Sequence, residues 1–106
     1  MALTLIKVPA TARRGEVIAI HTTIGHPMET GFRPGADGKI LPRDIIRHFT
    51  CHYNDELVFS AELFSAVAAN PYIAFHTVAT QSGTLRFSWN GDKGFVHTQT
   101  VAISVT

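Results

Sequence analysis

Few side chains in these 106 residues are equipped for chemistry, and their spacing decides what each can do. The only thiol, Cys51, keeps phase with Phe49 and Tyr53 in Phe49-Thr50-Cys51-His52-Tyr53. A reactive cysteine needs exposure and an electropositive setting that favours thiolate. A thiol in phase with two rings along a strand is instead expected to face the core and stay inert. His52 cannot serve it as a base, because adjacent strand residues point to opposite faces. Six histidines (His21, His26, His48, His52, His76 and His97) raise the question of a metal. Tetrahedral sites need three or four convergent ligands, and strand rise separates His48 from His52 by about 13 Å. The others lie on separate segments and are expected at the surface, so no metal site is assigned. His26 with Met28 is a soft, copper-type pair, which with one of the other histidines leaves a copper-binding β-sandwich as an alternative.

Acid–base and phosphate chemistry find even less. Asp55-Glu56 and Asp92 fall in turns, and Glu29 stands in a long loop with no obvious second carboxylate to pair with it. Glycine-rich phosphate motifs are missing. Ser60, Ser65 and Ser82 lack the strand–serine–helix setting of a nucleophile elbow. No catalytic residues and no cofactor are expected.

The elements that must position these residues read as strands. Nine Ile, eight Val and twelve Thr give 29 β-branched residues, which favour strand over helix. Alternation of period two marks strands over 3–8, 17–24, 45–53, 57–60, 72–80, 84–89 and 95–105. Asn90-Gly91-Asp92-Lys93-Gly94 reads as a hairpin turn, and 62–70 as a helical turn stopped by Asn70-Pro71. Trp89, in phase with Phe87 and Leu85, reads as a core aromatic. About seven short strands in one domain spanning 1–106 imply an all-β fold, an immunoglobulin-like antiparallel β-sandwich without the antibody cysteine pair.

One connection exceeds the usual length. Gly25 to Asp44 holds seven of the thirteen Gly and Pro residues, together with His26, Met28, Glu29, Phe32, Arg33 and Arg43. Loops beyond about 12–15 residues are uncommon in compact domains and often functional, so those six residues are the expected partner contacts.

Composition limits the rest. A net charge of +1 gives no global attraction to nucleic acid or anionic membrane. No stretch approaches the roughly 18 apolar residues of a membrane span. Only 16% of residues are charged, against about 25% in ordinary soluble chains, so a covered face is expected. Basic residues concentrate in the first half, seven against four acids, while the second half holds two against four.

Three stretches together resemble one family: Gly25-His26-Pro27-Met28-Glu29-Thr30-Gly31, Phe49-Thr50-Cys51-His52-Tyr53-Asn54 and Ala69-Asn70-Pro71-Tyr72. With Ser82-Gly83-Thr84-Leu85 and Trp89, the chain is similar along almost its whole length to the SoxZ family of small sulfur-oxidation subunits. Asn54-Asp55 stands where the family suggests a tight Asn-Gly-like turn. The resemblance implies a non-catalytic, immunoglobulin-like subunit that forms a heterodimer with SoxY and helps dock other Sox enzymes transiently during thiosulfate oxidation. The carrier cysteine belongs to SoxY in that family, on a flexible Gly-Gly-Cys-Gly-Gly arm. The resemblance also implies a periplasmic protein, exported with a leader-bearing partner because Met1-Ala2-Leu3-Thr4-Leu5-Ile6-Lys7 shows no leader. Homodimerisation of the isolated subunit, or a homodimeric interaction module, is the remaining alternative.

Overall fold

A computed structural model describes residues 3–106; Met1 and Ala2, at the head of the segment read for a leader, lie outside them. Eight strands form: β1 Thr4–Lys7, β2 Thr11–Ala12, β3 Val17–Ile24, β4 Ile46–Tyr53, β5 Glu56–Glu62, β6 Tyr72–Val78, β7 Gly83–Gly91 and β8 Val96–Val105. They build a three-stranded sheet, ordered β1-β3-β6, and a five-stranded one, ordered β2-β8-β7-β4-β5. Every pairing is antiparallel except β2 with β8.

The expected β-sandwich and its seven strands are present, and β2 is the addition. Two residues cannot show an alternation, so β2 left no periodic signal. It exists because the chain around it is tied to the C-terminal strand, through Ser104 N–H to Ala10 O and Arg14 N–H to Thr106 O. The helical turn over 62–70 is not there. Only one turn bond forms, Val67 N–H to Phe64 O, because other partners claim the segment. Leu63 N–H donates to Arg47 O, Asn70 N–H donates to His26 O, and the Ser65 hydroxyl donates to Thr30 O.

Between the sheets lie Ile18, Ile20 and Ile24 from β3, Phe49 and Cys51 from β4, and Leu85, Phe87 and Trp89 from β7. Phe49 is the joint. Its ring centroid lies 5.2 Å from Trp89, 6.3 Å from Phe87 and 6.1 Å from Phe75 of the opposite sheet. At one end Tyr53 closes the sandwich: its hydroxyl donates to the Gln81 carbonyl and accepts the amides of Thr80 and Gln81, both at 3.2 Å.

The β4–β5 turn resolves the departure at Asn54-Asp55. Both residues take positive φ, 48° and 67°, the combination a two-residue type I′ turn needs. Asp55 does there what glycine usually does. Asn54 is held by Thr84 N–H donating to its Oδ1 at 2.9 Å, and a Cβ on Gly83 would lie 1.8 Å from that oxygen.

Candidate functional site

The connection 25–44 leaves the sandwich as a hairpin-like arm and helps stretch the molecule to 58 × 20 × 19 Å. Glu29 and Asp44 exchange backbone hydrogen bonds at 2.9 and 2.8 Å, and further out Leu41 N–H donates to Arg33 O and Gly35 N–H to Lys39 O.

Its root is a knot of side chains. Pro27 stands between two buried residues, His26 and Met28, and Met28 adopts φ 50°, a left-handed conformation that disfavours residues carrying a Cβ. Two bonds hold it: Met28 N–H donates to His26 Nδ1 at 2.9 Å, and Met28 Sδ accepts Ile46 N–H at 3.2 Å. With Nδ1 an acceptor, the neutral ring carries its proton on Nε2, which faces Asp44 Oδ1 at 3.8 Å. The His26 ring also meets Phe95 edge-on at 4.9 Å. Asn70 Oδ1 accepts His26 N–H at 3.0 Å, and Asn70 N–H returns a bond to His26 O at 2.8 Å. Thus Gly25-His26-Pro27-Met28 and Ala69-Asn70-Pro71-Tyr72, apart in sequence, form one joint.

Of the six residues expected to meet a partner, His26 and Met28 therefore lie inside, where they set the arm's direction. Phe32 is 78% exposed. Arg33 pairs with Glu29 through Nη2 and Nε. That hydrogen bond holds the Glu29 carboxyl below its usual range and lifts Arg33 above its own. Arg43 forms a fork with Asp92, Nε to Oδ2 at 2.8 Å and Nη2 to Oδ1 at 3.0 Å. Gly31 permits the close crossing: a Cβ there would lie 2.9 Å from Arg43 Cβ.

Asp92 is the anchor that sequence reasoning missed. It lies in the 3₁₀ turn Asp92–Gly94 between β7 and β8. It accepts hydrogen bonds from Arg43 and from the Ile45 amide at 3.1 Å, and it forms an ion pair with Arg47, Nε to Oδ1 at 3.4 Å. Hydrogen bonds from Arg43, then from the Ile45 backbone, push its carboxyl below the usual Asp value. The only signal in the sequence was an acid within a turn opposite an arginine-rich segment. Beside it a cavity of about 420 Å³ opens among Arg43, Arg47, His48, Glu62, Phe64 and Asn90. Two guanidinium groups, two carboxylates, the His48 imidazole opposite Glu62 and an exposed ring give this end hydrogen-bonding groups and an apolar edge.

The remaining reactive groups do not converge. Cys51 is fully buried, and burial pushes its thiol up to about 12. Among the described residues no three His, Cys, Asp or Glu side chains gather as a metal site. In the copper-type pair, His26 Nδ1 and Met28 Sδ both accept backbone amides, and His26 Nε2 faces Asp44.

Comparison with known families then decides the affiliation: the SoxZ family, described as sulphur oxidation protein SoxZ, matches residues 6–102. The chain belongs to the SoxZ family. Family membership assigns it a role in the sulfur-oxidation Sox system. Comparison with curated protein sequences finds no match. Among solved structures, superoxide reductase (neelaredoxin) from Ignicoccus hospitalis is similar with a TM-score of 0.72 and 14% identity, over 97% of this chain and 80% of that one. The sulfur carrier protein SoxY from Chlorobium limicola f thiosulfatophilum is similar with a TM-score of 0.65 and 13% identity, over 97% and 78%. At such identities these likenesses establish the immunoglobulin-like sandwich and nothing of its chemistry.

Proposed function

We propose that this SoxZ-family chain is a non-catalytic scaffold subunit of a thiosulfate-oxidising carrier complex. It binds a SoxY-type carrier subunit as a heterodimer and helps dock the Sox enzymes that act on the carrier. The observation that carries the reading is the family match over residues 6–102, on a chain whose single thiol is sealed between two sheets. A thiol raised to about 12 in a closed core has neither the thiolate nor the access that a carrier of covalent sulfur requires. The arm end supports a docking role, with exposed Phe32, Ile40 and Phe64 beside Arg33, Arg43 and Arg47. Aromatic and Arg side chains are the types enriched at interface centres. The complex works in the periplasm, which this subunit reaches with a leader-bearing partner.

Co-purification with a SoxY-type carrier subunit tests the reading. A tight 1:1 complex is expected, with Phe32→Ala plus Arg33→Ala weakening it by about tenfold or more. Cys51→Ala should leave the affinity unchanged. A wild-type chain that elutes alone in the presence of that subunit overturns the proposal. Fractionation checks the compartment: export should depend on co-expression of the partner.

A further inference from the structure

The sandwich ends in four strand edges, and they are not equally protected. Native sheets blunt their edges by shortness, charge, proline or a bulge. β1 has four residues and ends in exposed Lys7; β2 has two residues. β5 begins and ends with Glu and carries a bulge against β4. β6, Tyr72–Val78, has none of these devices: seven residues, no Lys, Arg, Asp, Glu or Pro, and an unbroken register with β3.

The direction of its backbone follows from the flanking bonds. Ile24 N–H reaches Pro71 O at one end, and Ala79 N–H reaches Glu16 O at the other. Antiparallel pairing alternates, so Pro71, Ile73, Phe75, Thr77 and Ala79 turn their polar groups toward β3. The amides and carbonyls of Tyr72, Ala74, His76 and Val78 therefore point to the open edge. The seam toward β5 stays open at one end as a cavity of about 330 Å³ bordered by Val58, Thr77 and Val78. Beside the edge, Val78 and its β3 neighbour Val17 are exposed at one end, and Tyr72, its hydroxyl bonded to His21 Nδ1, is exposed at the other.

We propose that β6 is a self-association edge, through which two copies of this chain pair antiparallel about a two-fold axis at Phe75. The order of residues makes the edge complementary to itself. In that register Tyr72 of one copy lies opposite Val78 of the other, and Ala74 opposite His76. All four outward amide–carbonyl pairs then meet hydrogen-bonding partners. Aromatic meets β-branched at both ends, a favourable cross-strand pair, and no two like charges face each other. The result is one six-stranded sheet made from two three-stranded ones. A single strand pairing buries less than the roughly 800 Å² per partner of standard stable interfaces, so the dimer is weak and forms at high protein concentration. The edge is distinct from the arm end, so this inference does not depend on the proposed docking of a carrier subunit.

Sedimentation of the isolated chain over a wide concentration range, with amide hydrogen exchange at both extremes, tests the proposal. The expected result is a monomer–dimer equilibrium and no larger species. At high concentration the amides of Tyr72, Ala74, His76 and Val78 should gain protection, while those of Ile73, Phe75 and Thr77, already bonded to β3, should not change. Ala74→Lys should weaken association by about tenfold or more by charging the edge, and Thr98→Lys on the other sheet should have no effect. Ala74→Pro, which deletes one outward amide, should act in the same direction if the lysine variant folds poorly. A chain that remains monomeric throughout, a dimer indifferent to both Ala74 variants, protection without the alternation, or growth beyond dimers would each overturn it.

Discussion

The two sheets differ on the surfaces they turn outward. The five-stranded sheet presents Thr50, Thr84, Ser88, Thr98 and Thr100 around Arg86 and His52, a face rich in hydroxyl groups, with exposed Leu57 and Val96 toward its margins. The three-stranded sheet presents Leu5, Val17, Tyr72 and Val78 with Ala19 and Ala74 among them, and Lys7 is its only cation apart from histidines. Inside, the five-stranded sheet supplies most of the rings and the other mainly isoleucines. A charged fraction of 16% therefore averages two unlike surfaces. One replaces charge chiefly with groups that water solvates readily, and its exposed Leu57 and Val96 stand apart on the outer strands β5 and β8. The other leaves apolar side chains in water, a pattern associated with contact sites.

Breaking the joint between the sheets has the largest effect. Phe49→Ala removes the ring that touches both layers, and a cost of about 3–5 kcal/mol is expected for a buried Phe truncation. Chemical denaturation measures it. A loss near 1 kcal/mol would mean that each sheet is held chiefly by its own strand pairing. Tyr53→Phe follows. It deletes one hydroxyl that serves three backbone groups of the segment after β6, so about 1–3 kcal/mol is expected where donors lose their acceptor. Hydrogen exchange at Thr80 and Gln81 should rise with it, and unchanged exchange there would deny Tyr53 that role.

The strands were legible because one face of each meets the core and period-two alternation records this directly. Phe49, Cys51 and Tyr53 in β4, and Leu85, Phe87 and Trp89 in β7, all face inward as their spacing implies. The segment 62–70 misled because Asn70-Pro71 reads as the stop of a helical turn, and local sequence contains no record of bonds to Arg47, Thr30 and His26. The arm was visible as a long Gly/Pro-rich connection, while its root was not. His26, Met28, Ile46 and Asn70 meet over separations of up to 44 residues, and no periodicity encodes such distances. Asp92 was hidden for the same reason, 49 residues from Arg43.

Asp92 provides a pH test at the arm-bearing end of the five-stranded sheet. Its folded carboxyl titrates below the ordinary 3.8 because Arg43 and the Ile45 amide bond to the charged form. A group lowered in this way stabilises the fold above its unfolded value, and the contribution disappears as pH falls through the folded one. Asp92→Asn should therefore be less stable than the wild type near neutral pH. The gap should close as pH drops below 3.8 and on toward full protonation. Denaturation curves across that interval measure it; a gap that is constant with pH would mean that shape, not charge, gives Asp92 its value.

The smallest effect on stability separates the two outward faces most directly. Val17 is 63% exposed on the three-stranded sheet, and Thr98 is exposed at the corresponding outer layer of the other, opposite Ser88. Val17→Thr and Thr98→Val exchange a methyl and a hydroxyl between near-isosteres, and both residues suit strands. Each should alter folding stability by less than about 0.5 kcal/mol, as exposed substitutions usually do. Binding of a hydrophobic dye to the folded chain should nevertheless move in opposite directions, down for Val17→Thr and up for Thr98→Val. Equal and unchanged dye binding would show that the valine is shielded by its neighbours. The adjoining pair Val17 and Val78 beside β6 would then be two single residues instead of a continuous patch.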